Sequence, residues 1–167
     1  MRIYEITRLT EAPEDGTFAG FHLYKPDARK LHQFALDNEI PNAEPADKMH
    51  VTVMFSRTYI PNFKPMGMLK KAIYATPIEV RKFGEALVIV LDAPEVVARH
   101  KYIMNHYKEA TYDHDEFIPH VTLSYDSGRF DEKTLDVSSI GMITLVEEYT
   151  NDINPDWGTG QYKKLEL

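Results

Sequence analysis

Two tetrapeptides constrain this chain more than anything else in it. They are His50-Val51-Thr52-Val53 and, seventy residues on, His120-Val121-Thr122-Leu123. Both alternate polar and apolar positions with the period of a strand. Each histidine and its threonine therefore share one face, while Val51 and Val53, or Val121 and Leu123, share the other. A fold for this chain must supply two strands in matched settings, each presenting one imidazole and one hydroxyl side by side.

The surroundings of the two copies repeat in order. Residues 17–24 read as a strand containing Gly20. Pro26 follows, with Ala28, Leu31, Phe34 and Ala35 at helical spacing, so a helix is expected over 26–37. A loop over 38–47 leads into the first motif. After a connector with Pro61, Pro65 and Gly67, a short helix is expected at 68–74. Strands over 78–83 and 86–91 meet at Gly84-Glu85. Pro94 then opens a helix striped with Val96, His100, Ile103, Met104 and Tyr107, and a polar loop over 111–116 leads into the second motif. Residues 141–148 form a further strand candidate and 161–167 a terminal one, with a loop over 151–160. Strands punctuated by only two long helices do not make repeated βαβ units, so an α+β domain with mostly antiparallel strands is expected. No linker divides residues 1–167, which read as one domain.

Composition narrows the partners. The chain carries 19 lysines and arginines against 26 aspartates and glutamates, a net charge of −7. Binding to long nucleic acid relies on many cations displacing phosphate counterions, so a long RNA or DNA substrate is disfavoured and a small nucleotide suits better. There are no cysteines, which removes disulfides, thiolate ligands and a thiol nucleophile. No apolar run approaches the roughly 20 residues of a membrane span, and residues 1–5 lack the core of a signal peptide, so a cytoplasmic protein is expected.

Two imidazoles and two hydroxyls facing one groove are equipment for cleaving a phosphodiester without a metal or other cofactor. An imidazole with a pKa near 6.5 can take or give a proton near neutrality, and each such transfer is typically worth about 10²–10⁴ in rate. Threonine hydroxyls can donate to the phosphoryl oxygens as charge develops there. On these motifs the chain resembles the 2H phosphoesterase superfamily, named for two His-x-Thr/Ser motifs. That resemblance implies a bilobed α+β (LigT-like) fold with two pseudo-symmetric lobes around a central groove. It also implies His50 and His120 as the catalytic pair and Thr52 and Thr122 as phosphate binders. Within the superfamily the chain resembles the bacteriophage anti-CBASS phosphodiesterases, on Met1-Arg2-Ile3-Tyr4-Glu5-Ile6, the segments 50–56 and 118–125, and a tail with Glu147-Glu148 and Trp157. The implied substrate is a cyclic di- or trinucleotide messenger such as cyclic GMP-AMP, cut at a 3′–5′ bond. The alternatives are an RNA-end 2′,3′-cyclic phosphodiesterase using the same four residues, and a sponge that holds the messenger uncut.

Other residues carry weaker signals. Trp157 is a candidate base stack or a core cap. Glu148 is a candidate acceptor from an exocyclic amine or ribose hydroxyl, or a solvated strand end. Phe18 and Tyr24 could flank a base, with core packing favoured for both. His114 between Asp113 and Asp115 reads as a solvated loop rather than a metal site, and His100 and His106 as structural. His22 and His32 have no partner in sequence.

Overall fold

The computed structural model describes residues 16–152. Six strands and two helices run in the order β1 (Thr17–Leu23), α1 (Lys25–Asp37), β2 (His50–Ser56), β3 (Gly67–Phe83), β4 (Ala86–Asp92), α2 (Pro94–His106), β5 (His120–Ser124) and β6 (Ile143–Asp152). The strands close into one antiparallel barrel, β1-β2-β5-β4-β3-β6. Its two halves, β1-β2 and β5-β4, meet where the motif strands touch, through the single pair Val51↔Val121. β6 closes the barrel by pairing with both β1 and β3. The expected two lobes thus share one sheet.

The helices form where proline and apolar spacing place them. Pro26 and Pro94 occupy first-turn positions, where a missing N–H costs nothing. α1 buries Ala28, Leu31 and Ala35, and α2 buries Val96, His100 and Ile103. Both stripes join one core with Phe21, Val51, Val53, Val121, Leu123, Ile89 and Leu145. The helices therefore cover one face of the sheet and leave the other to the motif histidines. No described helix is long and apolar enough to cross a membrane.

The helix expected at 68–74 is not there: those residues belong to β3, 17 residues long. The strand is hard to read because it bulges. Between Met68, opposite Glu147, and Ile73, opposite Leu145, its register with β6 shifts, and Lys70-Lys71 stand in the bulge. The extra residues break the alternation that marks a strand. The loop expected at 151–160 begins later than that, since Asn151 and Asp152 still belong to β6. The terminal strand at 161–167 lies outside the described residues.

Candidate active site

The pairing of Val51 with Val121 fixes the site. Extending that antiparallel pairing by one residue each way sets His50 beside Thr122 and Thr52 beside His120. The four side chains occupy the corners of a rectangle, with the histidines on one diagonal. Strands about 4.8 Å apart and a repeat of about 6.7 Å along each strand separate the histidine Cα atoms by roughly 8 Å. That spacing admits a tetrahedral phosphate between two imidazole tips. All four motif residues are partly exposed, while Val51, Val53, Val121 and Leu123 between and behind them are fully buried.

Each histidine is held in the same way. His50 Nδ1 lies 3.0 Å from the Lys48 carbonyl oxygen, and His120 Nδ1 lies 2.8 Å from that of Ile118, in both cases two residues upstream. A carbonyl can only accept, so Nδ1 carries the proton and Nε2 is left as the exposed basic nitrogen. A phenylalanine sets each ring edge-on: Phe18 against His50 at 5.5 Å, and Phe83 against His120 at 5.0 Å. The Thr52 and Thr122 hydroxyls have no protein partner among the described residues.

Burial pushes the His50 imidazole below its ordinary value near 6.5; the Lys48 carbonyl opposes this, while His120 and His22 add to the lowering. Burial likewise lowers His120, opposed by the Ile118 carbonyl, with His114 adding to the lowering. Both rings therefore favour the neutral form in the free protein.

Reciprocal latches brace the rectangle. The loop that leads into β2 is fastened to the end of β5: the Glu44 N–H donates to the Leu123 carbonyl at 2.7 Å, the Ser124 hydroxyl donates to the Pro41 carbonyl at 2.6 Å, and the Asn42 amide donates to the Asp126 carbonyl. The loop that leads into β5 is fastened to the end of β2. There the Thr111 N–H donates to the Ser56 hydroxyl, the Arg57 N–H donates to the Thr111 hydroxyl, and the Arg57 guanidinium pairs with Asp113. Each motif is thus delivered by a loop tied to the strand carrying the other.

Glu148 does not look into this groove. A register shift between His22 and Leu23 reveals a bulge in β6 at Val146. Ile143 and Leu145 point to the helix-covered core before it, and Glu148 points there after it. The Glu148 carboxylate takes both Nε and an Nη of Arg99 at 2.8 Å and the Met66 N–H at 2.7 Å. The expected substrate contact is therefore replaced by a buried ion pair between β6 and α2. Its neighbour Tyr149 faces the groove instead, stacked on His22 with ring centroids 3.8 Å apart and planes 7° from parallel.

His22 is a residue the sequence reading passed over, and it lies directly across the strand from His50. Only the β1–β2 register could have revealed it. Phe18 faces His50 and stands apart from the main core, whereas Tyr24 is half exposed. Asp113 is taken by Arg57, and His114 edges onto Tyr112. Trp157 lies outside the described residues.

Residues 15–160 match the family described as "Anti-CBASS protein Acb1". The protein of that name from Acinetobacter phage Ac42 is 34% identical over 126 residues, spanning 71% of this chain and 78% of that one. The one from Enterobacteria phage T4 is 34% identical over 131 residues, spanning 76% and 81%. Among solved structures, E. coli LigT complexed with phosphate superposes with a TM-score of 0.58 at 11% identity, over 82% of this chain and 86% of that one. LigT complexed with 3′-AMP gives 0.57 at 13% identity, over the same shares. At such low identity these likenesses establish the fold. With its doubled motif, its barrel and its phage relatives, the chain belongs to the Acb1 family of anti-CBASS proteins, built on the LigT-like 2H phosphoesterase fold.

Proposed function

We propose that this chain is a phosphodiesterase that opens cyclic di- and trinucleotide messengers and so counters CBASS immunity inside the host bacterium. It works as one domain, with no metal in the reaction. The observation that carries the reading is the pair of identically anchored imidazoles on one diagonal, with two threonine hydroxyls on the other that have no partner among the described residues. A phosphodiester seated between them has a basic Nε2 on each side. One histidine takes the proton of the attacking hydroxyl, either the neighbouring ribose 2′-hydroxyl or a water, as its oxygen bonds to phosphorus. The other gives a proton to the 5′-oxygen as the P–O bond breaks. Thr52 and Thr122 donate to the non-bridging oxygens while charge grows on them. The acidic balance of the chain fits a compact messenger better than a long RNA.

The test is incubation with 3′,3′-cyclic GMP-AMP, and separately with an RNA bearing a 2′,3′-cyclic end, both in EDTA. Wild type is expected to linearise the messenger. His50→Ala and His120→Ala are each expected to lose at least about 10²-fold in rate. Opening of the RNA end with the messenger left intact would overturn the substrate assignment. Tight binding without cleavage would make the chain a sponge.

A further inference from the structure

The four motif residues are related by a local two-fold axis that passes between Val51 and Val121, normal to the sheet. Such an arrangement cannot by itself tell the two ends of a phosphodiester apart. Its flanks can. Across β1 and β4 the rows read His22–His50–Thr122–Val88 and Gly20–Thr52–His120–Val90. The axis that exchanges His50 with His120 exchanges His22 with Val90. An imidazole therefore stands outboard of one catalytic histidine, and an isopropyl group outboard of the other.

His22 also differs from the other described histidines. His32, His50, His100 and His120 each hold a backbone carbonyl through Nδ1, and His106 and His114 are exposed. His22 is partly buried, yet neither ring nitrogen has a protein hydrogen-bond partner among the described residues. Its ring plane is nonetheless fixed by the parallel stack on Tyr149. A pre-oriented donor and acceptor facing a groove without a protein partner is the disposition of a ligand-reading group.

On the function proposed above, we infer that His22 is a specificity-determining residue. It hydrogen-bonds the nucleoside on the β1 side of the scissile phosphate and sets which way round a mixed-base messenger lies. The side chain neither takes nor gives a proton in the reaction. It selects which of the two linkages is presented to them. Gly20, in the same strand, makes room for the Phe18 ring that abuts His50: a Cβ there would come within 2.9 Å of it.

The experiment uses 3′,3′-cyclic GMP-AMP, whose two linkages give two distinguishable linear products resolved by fragmentation mass spectrometry. Wild type is expected to favour one product. His22→Val, which copies the Val90 side, is expected to erode that preference and raise KM, each about tenfold, with kcat changed far less. His22→Gln, which keeps a donor and an acceptor, is expected to recover part of the preference. Matching thermal midpoints would show that the variants are folded. Equal product ratios and KM in wild type and His22→Val, or no preference in wild type, would overturn the assignment and leave the phosphodiesterase reading intact. Failure of wild type to cut the messenger would overturn that reading, and this one with it.

Discussion

The two catalytic candidates owe their chemistry to neighbours that a sequence motif only half specifies. His-x-Thr fixes which side chains share a face, and that much is legible because strand alternation is local. The tautomer is not legible: it comes from carbonyls at Lys48 and Ile118, placed by the loops that precede each strand. Nor is the lowered basicity, which is set first by burial. A pH profile follows from it. Turnover needs one imidazole neutral and the other protonated, and kcat/KM reports the free protein. Since both values lie below 6.5, both rings are neutral above it, and the protonated partner becomes rarer as pH rises. We expect kcat/KM for a cyclic dinucleotide to peak below pH 6.5 and to fall steadily from pH 7 to 9. The bound phosphodiester anion stabilises an imidazolium, so the optimum of kcat is expected to sit higher. An optimum of kcat/KM above pH 7 would contradict the burial argument.

Elements were legible in proportion to their regularity. α1 and α2 carry proline at the start and apolar residues at helical spacing, and both form where expected. β3 and β6 carry bulges, and each bulge misled the reading: one hid a strand at 68–74, the other turned Glu148 from the groove to the core. A one-residue slip exchanges the two faces of a strand, so unbroken alternation from the buried Ile143 and Leu145 would put Glu148 on the face opposite to the one it occupies. The structure makes Glu148 a stabilising residue, since its carboxylate is fully buried and its partner Arg99 is partly buried, with a side chain 15% exposed. Removing one partner of a buried pair leaves the other charge uncompensated, at about 3–5 kcal/mol. Glu148→Ala is therefore expected to lower the urea midpoint sharply, and Glu148→Leu combined with Arg99→Met to recover most of the loss. An unchanged midpoint with a large rise in KM would return Glu148 to the substrate.

At the scale of the molecule, little of the closure could be read in advance. The barrel closes because β6, late in the chain, pairs with β1 and β3, and the motif strands meet through one pair seventy residues apart. Such partners leave no local signature. What holds the two halves at working distance is the set of crossed latches together with His100. From α2, His100 donates Nδ1–H to the Val53 carbonyl at 2.7 Å and stacks on Phe117, next to the residue that orients His120. Burial holds His100 below 6.5, opposed by the Val53 carbonyl, as it does His50 and His120. All three therefore bind a proton more readily unfolded than folded. Their stabilising contribution is complete above about pH 6.5 and is lost as pH falls through the folded values. We expect the thermal midpoint to hold between pH 8 and 7 and to drop progressively from 6.5 to 5. His100→Phe keeps the ring packing but leaves the Val53 carbonyl unpaired, costing about 1–3 kcal/mol at pH 7.5. It is expected to show a shallower decline below pH 6.5, since one of the three titrating groups is gone. A wild-type midpoint flat from pH 7.5 to 5 would show that these imidazoles titrate as freely folded as unfolded. A His100→Phe curve parallel to that of wild type would clear His100 alone.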